Sequence, residues 1–274
     1  MGTPELGITD TRNIVNAVKE LYGYDFSNYA LTSFRRRLER LMYINNVSHP
    51  DGLILKLKND SGFFDKFLYD LYVDSTEMFR DPSLWRLLRD KYLPAYLKKY
   101  GKIKIWIPVC VTGEELYTLA ITVKELGITN NTEIHASFFS EMSVEEVKKG
   151  IFKSAKLEIS EENYTRYQGD NYLSSYFTQK NDFLYRDDSL IKNVIFRKQN
   201  IIFDNSPDNI HMVLFRNQMI YYNQTLSDNV LKIIHGSMVP GGLLATGIME
   251  KLPPGQEGRM FNLIEDNESI YQKR

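Results

Sequence analysis

The chain has 274 residues, 43% hydrophobic and 25% charged, with a formal net charge of -1. That length builds one large domain or two ordinary ones with a real core, and so even a charge balance gives no reason to expect a nucleic-acid or membrane partner. A lone cysteine, Cys110, excludes an internal disulfide and reads as a small buried hydrophobe in a reducing compartment.

The N-terminus lacks the basic segment and apolar run of a signal peptide, and no stretch approaches the ~20 apolar residues of a membrane span. A cytoplasmic protein is the expectation. Asp10-Thr11 is predicted to cap a helix through Ile14, Val15, Val18 and Leu21 that ends near Gly23. Asp25-Phe26-Ser27 is predicted to start a second helix, on which Leu31, Phe34, Leu38 and Leu41 share one face. Arg36 and Arg40 lie opposite, with Arg37 on their flank. Two readings stand: a solvated basic face, or a docking surface for an acidic helix, since arginine suits carboxylate partners. His49-Pro50-Asp51-Gly52 reads as a turn. Leu53, Leu55 and Leu57, then Phe63, Phe64, Phe67, Leu68 and Leu71, read as two short helices. Residues 1–80 are thus predicted to form a small all-α domain. Pro82 suits the first turn of a helix starting at Ser83.

Residues 81–274 alternate strand and helix. Ile105-Trp106-Ile107 suits a buried strand. Thr112-Gly113-Glu114-Glu115 follows as a tight turn, and Leu116, Leu119, Ala120, Val123 and Leu126 recur at helical spacing. Strand, Gly turn and helix open a doubly wound sheet, which binds ligands at the carboxyl ends of its strands. Two glutamates in the first helical turn suit the helix dipole but repel a phosphate. A nucleotide bound here presents a cation or an amino group, as S-adenosylmethionine (SAM) does. The next strand, Ile134 to Phe139, ends at Ser140-Glu141, and Glu141 lies where an acid accepts hydrogen bonds from ribose hydroxyls. Ser143 is predicted to cap the following helix, which ends at Gly150. Residues 160–195, polar and rich in tyrosine, interrupt the alternation. A strand over Val194 to Phe203 carries Asn200 near its end, where it reads an adenine edge or satisfies a turn. Met212 to Phe215 is the next strand, with Arg216 and Asn217 on the ligand-facing rim. Pro240-Gly241-Gly242 reads as a turn before a fifth strand. Phe261 to Ile264 and Ser269 to Lys273 read as a closing antiparallel pair. The histidines at 49, 135, 211 and 235 have no ligand-like spacing, so no metal site is expected.

These segments, in this order, resemble the CheR family of chemotaxis receptor methyltransferases from about residue 10 to the end. TSFRRRLERLM (32–42) is similar to the family's basic docking helix. DSTEMFRD (74–81) is similar to the segment that borders SAM and the target carboxylate. WIPVCVTGEELYTLA (106–120) and FRNQMIYY (215–222) resemble the family's strand-TGEE-helix signature and pocket-closing segment. The resemblance implies a small N-terminal all-α domain, then a doubly wound class I methyltransferase domain. That second domain would have a mostly parallel sheet, an antiparallel C-terminal strand and a small inserted β-subdomain at about 160–195. It implies transfer of methyl from SAM to glutamates in the cytoplasmic helical domain of a chemoreceptor-like protein, with S-adenosylhomocysteine as product, by a monomer. By residue, Asp74, Thr76, Arg80, Gly113, Glu115, Glu141, Asn200, Ile201, Arg216 and Asn217 would hold the cofactor. Arg80 and Tyr221 would sit nearest the reacting methyl, and Arg36, Arg37 and Arg40 would dock the receptor.

The chain departs from the family pattern at Asp74 (usually Asn), Val111 (a small polar residue), Leu116 (Pro) and Glu141 (Asp), and Phe215 and Gln218 are atypical. The substitutions at Asp74, Val111, Glu141 and Gln218 motivate an alternative, a catalytically weakened SAM-binding scaffold or sensor. A small-molecule methyltransferase is a further alternative, against which the arginine face of the second helix argues.

Overall fold

A computed structural model describes residues 4–72, 76–153, 157–252 and 258–274. The chain divides into two compact units, Met1–Val73 with Gln218–Val230, and Asp74–Asn217 with Leu231–Arg274.

The first unit contains helices α1 (Ile8–Tyr22), α2 (Leu31–Ile44), α3 (Pro50–Asn59) and α4 (Phe63–Tyr72). Each buries one apolar stripe: Ile14, Val15 and Val18 on α1, Phe34, Leu38 and Leu41 on α2, Leu53 and Leu57 on α3, and Phe67, Leu68 and Leu71 on α4. Three boundaries differ from the sequence expectation, each because of a local hydrogen bond or the proline ring. Gly7 caps α1, and Asp10 reaches back to accept its N–H at 2.9 Å. Asp25 closes a turn by accepting from Ser27 N at 2.9 Å, which delays α2 until Leu31. His49-Pro50 starts a helix instead of forming a turn, because Pro50 occupies the first helical position, where a missing N–H costs nothing.

The second unit opens with α5 (Pro82–Leu87), a π-helical turn over 88–92 and α6 (Leu93–Tyr100). Then come β1 (Ile103–Ile107), α7 (Glu114–Glu125), β2 (Thr132–Phe138), α8 (Glu141–Lys149), β3 (Ile151–Lys153), α9 (Leu157–Tyr167), β4 (Phe177–Lys180), β5 (Phe183–Arg186), β6 (Val194–Lys198) and β7 (Ile210–Phe215). The chain closes with α10 (Gln224–Ser237), β8 (Met238–Thr246), β9 (Phe261–Glu265) and β10 (Ile270–Lys273). Seven strands form one sheet in the order β6-β2-β1-β7-β8-β10-β9. The first five run parallel, and β10 is antiparallel to both its neighbours. The direction of strand addition reverses between β1 and β7, so the ligand crevice of a doubly wound sheet is expected at their carboxyl ends. One sheet face, carrying Ile105, Ile107, Ile134, Phe138, Met212 and Leu214, packs with Leu116, Leu119, Val144 and Val147 of α7 and α8 in a single apolar core.

The inserted subdomain is a three-stranded antiparallel sheet in the order β3-β5-β4. It starts at Ile151, before the expected boundary, and part of the tyrosine-rich stretch is the helix α9. There the Tyr164, Tyr167 and Tyr176 hydroxyls all donate to the Glu125 carboxylate at the end of α7. Pro240 and Gly241 lie inside β8 as an irregularity: β7 pairs through Ile210 with Met238 and then through Met212 with Leu243.

A buried polar chain ties three strand ends together. The Trp106 indole N–H donates to Ser137 Oγ at 2.9 Å, and Ser137 Oγ donates to Gln199 Oε1 at 2.6 Å. Gln199 Nε2 donates to the Asn205 carbonyl at 2.6 Å, which shapes the loop after β6. Ser137→Ala strands the indole donor and the Gln199 acceptor, so a loss of about 1–3 kcal/mol is expected. Urea unfolding followed by tryptophan fluorescence measures it in the second unit alone, because both tryptophans, Trp85 and Trp106, lie there.

Candidate active site

The sheet order brings four expected segments to the carboxyl ends of four adjacent strands: Asn200 and Ile201 after β6, Glu141 after β2, Gly113 and Glu115 after β1, and Arg216 and Asn217 after β7. Each turn has its own local cause. Gly113 caps α7 at φ +92°, and a Cβ there would lie 2.8 Å from the Tyr117 ring and 2.9 Å from Val147. Glycine is therefore required both by conformation and by space. Ser140 caps α8, accepting from Ser143 N at 3.0 Å. The cap falls on Ser140 and not on Ser143, which makes Glu141 the exposed first residue of the helix. The Asn200 side-chain oxygen accepts from Ile202 N at 2.9 Å, and its backbone N–H donates to Asp204. Asn200 thus satisfies a turn with its oxygen, while its amide nitrogen makes no hydrogen bond among the described residues.

Arg216 is the hub. Its guanidinium, with the side chain 4% exposed, donates to Glu115 Oε1 at 2.9 Å and to Asp81 Oδ2 at 2.6 Å. It also donates to the Arg80 carbonyl at 3.2 Å and lies 5.7 Å over the Trp85 ring. These bonds join the turn after β7, the first turn of α7 and the residues before α5. Burial raises the Glu115 pKa, an effect the neighbouring Arg216 opposes. Glu114 turns inward, is buried, and accepts from the Thr112 hydroxyl.

Arg80 stands between two residues in the left-handed region, Phe79 at φ 55° and Asp81 at φ 59°. Such conformations cost of order 1–3 kcal/mol each and persist where surroundings over-determine them. Here they are over-determined. Phe79 is fully buried, with its N–H on Thr118 Oγ1 at 2.9 Å. The Asp81 carboxylate is held by Arg216, and the Arg80 carbonyl also accepts from the Trp85 indole at 2.9 Å. With its backbone fixed on both sides, the half-buried Arg80 side chain makes no hydrogen bond or ion pair among the described residues.

Sequence reasoning did not single out Glu250, Asp81, Ser137 or Gln199. Glu250 is 5% exposed, and one oxygen accepts from Asn217 N at 2.6 Å and from Gly247 N at 3.0 Å. That bridge holds Asn217 at φ 56° and needs Gly247, where a Cβ would lie 2.7 Å from the Asn217 amide. Nothing in a linear pattern marks such a residue. Asp81 carried a usable signal, an acid directly before a helix-starting proline. Asp74 falls outside the described residues. Thr76 is half-buried ahead of Met78. Tyr221 belongs to the first unit, where its carbonyl accepts from Ala30 N at 2.8 Å and Arg37 lies 3.7 Å over its ring. Cys110 is buried, and burial pushes its thiol well above the ordinary range.

The donor and acceptor set fits a nucleoside that carries an amino group and a sulfonium. Glu115 and Glu141 supply acceptors at helix starts, where a phosphate would be repelled. Arg216 Nε is a buried donor with no partner among the described residues. A seven-stranded sheet of this order, with one reversed strand and an acid-lined rim at the switch point, defines a SAM-dependent methyltransferase fold. Residues 74–270 match the CheR methyltransferase SAM-binding domain and residues 9–72 the CheR methyltransferase all-alpha domain, and the chain belongs to the CheR methyltransferase family. It is 30% identical over 264 residues to a Pseudomonas putida protein that carries the name methyltransferase Cher3, covering 96% of each chain. It is 24% identical to the chemotaxis protein methyltransferase of Listeria innocua, covering 86% of this chain and 87% of that one. The chemotaxis protein methyltransferase 1 of Pseudomonas aeruginosa is 26% identical over 79% of this chain and 80% of its own. No described helix is long and apolar enough to cross a membrane.

A pH dependence follows from Glu115. At low pH the carboxyl carries its proton in both states. As pH rises past the ordinary carboxylate value of ~4.3, the unfolded chain releases the proton first, because burial raises the folded pKa. The folded state then binds more protons, so this group's contribution to stability falls with rising pH until the folded pKa is passed. The wild-type stability minus that of Glu115→Gln is expected to decline across that window and then level off, read by urea unfolding at a series of pH values.

Proposed function

We propose that this chain transfers the methyl group of SAM to glutamate side chains in the cytoplasmic helical domain of a chemoreceptor-like protein, leaving glutamate methyl esters and S-adenosylhomocysteine. The observation that carries the reading is the contrast between two neighbouring arginines. Arg216 is bonded to Glu115 and Asp81, whereas Arg80, on an over-determined turn beside it, makes no side-chain hydrogen bond or ion pair among the described residues and acts on Glu115 through its charge alone. A positioned cation at the rim suits a carboxylate acceptor. The chemotaxis methyltransferase names of the relatives support the same substrate class.

SAM supplies an electrophilic methyl carbon on a positively charged sulfur. A surface glutamate, with an ordinary pKa near ~4.3, is already ionised at neutral pH, so no general base is needed. One carboxylate oxygen forms the bond to the methyl carbon, and the electron pair of the broken carbon–sulfur bond stays on sulfur. No proton moves. The protein's task is alignment at ~3–3.5 Å and exclusion of water. Arg80 holds the second carboxylate oxygen, Tyr221 supports the acceptor, and Thr76, Glu115, Glu141, Asn200, Ile201 and Asn217 hold the cofactor. Asp81 and Arg216 hold the turn that presents Arg80. Arg36, exposed and without a hydrogen bond or ion pair among the described residues, and Arg40, exposed on the same helix, provide the docking face.

The test is methyl transfer from labelled SAM to a receptor cytoplasmic fragment, with SAM affinity read in parallel by calorimetry. Arg80→Ala is expected to lower turnover by roughly 100-fold, the scale of a lost orienting contact, while SAM binding changes far less. Wild-type turnover in that variant would remove Arg80 from the reaction. Arg36→Glu combined with Arg40→Glu is expected to weaken receptor methylation and leave SAM binding intact; joint loss would indicate misfolding.

A further inference from the structure

We infer that Arg37 is a positioning residue for the Tyr221 ring and not a part of the receptor-docking face. The inference rests on the proposed acceptor-side role of Tyr221.

The arginines of α2 are not equivalent. Arg36 is exposed, and Arg40 is exposed and donates to the Asp70 carbonyl at 3.2 Å. Arg37 is half-buried and directed elsewhere. Its guanidinium carbon lies 3.7 Å from the Tyr221 ring centroid and 5.7 Å from that of Tyr72, and Nη1 reaches the Leu71 carbonyl at 3.4 Å. A planar guanidinium at that distance stacks on the ring face, a geometry that a lysine ammonium does not reproduce.

The backbone around Tyr221 is pinned to the segment that leads into α2. Ala30 N donates to the Tyr221 carbonyl at 2.8 Å, Tyr222 bridges to Tyr29, and Asn223 bonds Asn28 through its backbone N–H at 2.9 Å and its side chain at 3.0 Å. These bonds fix the peptide, and the Arg37 guanidinium lies over the face of the ring that the peptide carries. Tyr221 and α2 both belong to the helical unit. The helix that displays the docking arginines therefore also orients the acceptor-side tyrosine, and Arg37 is the link.

A docking residue and a positioning residue differ in kinetics. Arg37→Lys keeps the charge but loses the stack, and is expected to lower kcat for a receptor cytoplasmic fragment by roughly 10- to 100-fold, with the fragment KM and the SAM affinity little changed. Arg36→Gln is expected to raise KM instead. In a Tyr221→Leu background, Arg37→Lys should have no further effect on kcat. Independently of activity, the Tm shifts of Arg37→Gln and Tyr221→Leu should be non-additive in the double variant. A raised KM with unchanged kcat in Arg37→Lys, multiplicative kinetic effects, or additive Tm shifts would each overturn the inference while leaving the proposed function standing. A folded wild-type chain that binds SAM but does not methylate the fragment would overturn the proposed function, and with it this role for Arg37.

Discussion

The Arg216 guanidinium is the interaction on which the candidate site depends. It sits at the carboxyl end of β7, on the side of β1 where the sheet reverses its order of strand addition. From there it bonds Glu115 on α7, and Asp81 and the Arg80 carbonyl ahead of α5. Three segments far apart in sequence are thereby fixed to one charge. A buried cation with two carboxylates meets the first condition for a buried ion pair, a partner for each charge, and leaves one donor, Arg216 Nε, without a partner among the described residues. It also divides labour between two like residues. Arg216 holds structure, and Arg80, to whose carbonyl it donates, makes no side-chain hydrogen bond or ion pair among the described residues.

The rest of the rim is built in the same manner, by polar groups that tie one strand end to the next. Trp106, Ser137 and Gln199 connect β1, β2 and the residues after β6, and Glu250 joins the turns after β7 and β8 through two backbone N–H groups. Each lies where a turn must hold an uncommon conformation, as at Asn217, or where a loop must keep its place without a covering helix, as after β6. Buried networks of this kind rigidify a site when every member is satisfied. Three rim donors make no hydrogen bond among the described residues: the Arg80 guanidinium, Arg216 Nε and the amide nitrogen of Asn200.

The chain divides so that the rim residues Glu115, Glu141, Asn200 and Arg216 fall in the second unit, and Tyr221, with the basic helix α2, falls in the first. In the proposed reading Tyr221 and the docking arginines therefore belong to one unit.

Much of this was legible in the sequence because it follows from local rules. Helical spacing after Gly113, the apolar runs of β1, β2 and β7, and the polar pairs that follow each strand are enforced by burial on a sheet with helices on its faces. They located Glu115, Glu141, Arg216 and Asn217 on one rim before any coordinates. Helix starts were less legible. A side-chain oxygen three residues away decides whether Gly7 or Asp10 is the cap, and Ser140 or Ser143. What only the tertiary structure decided is which charges meet. Asp81, Glu115 and Arg216 pair across 135 and 101 positions of chain, and Glu250 reaches back 33 residues to Asn217. Periodicity carries no information at such separations, because these contacts are chosen by the order of strands in the sheet. The same holds for Arg37, which its helix places beside Arg36 and Arg40 but which packing turns onto Tyr221.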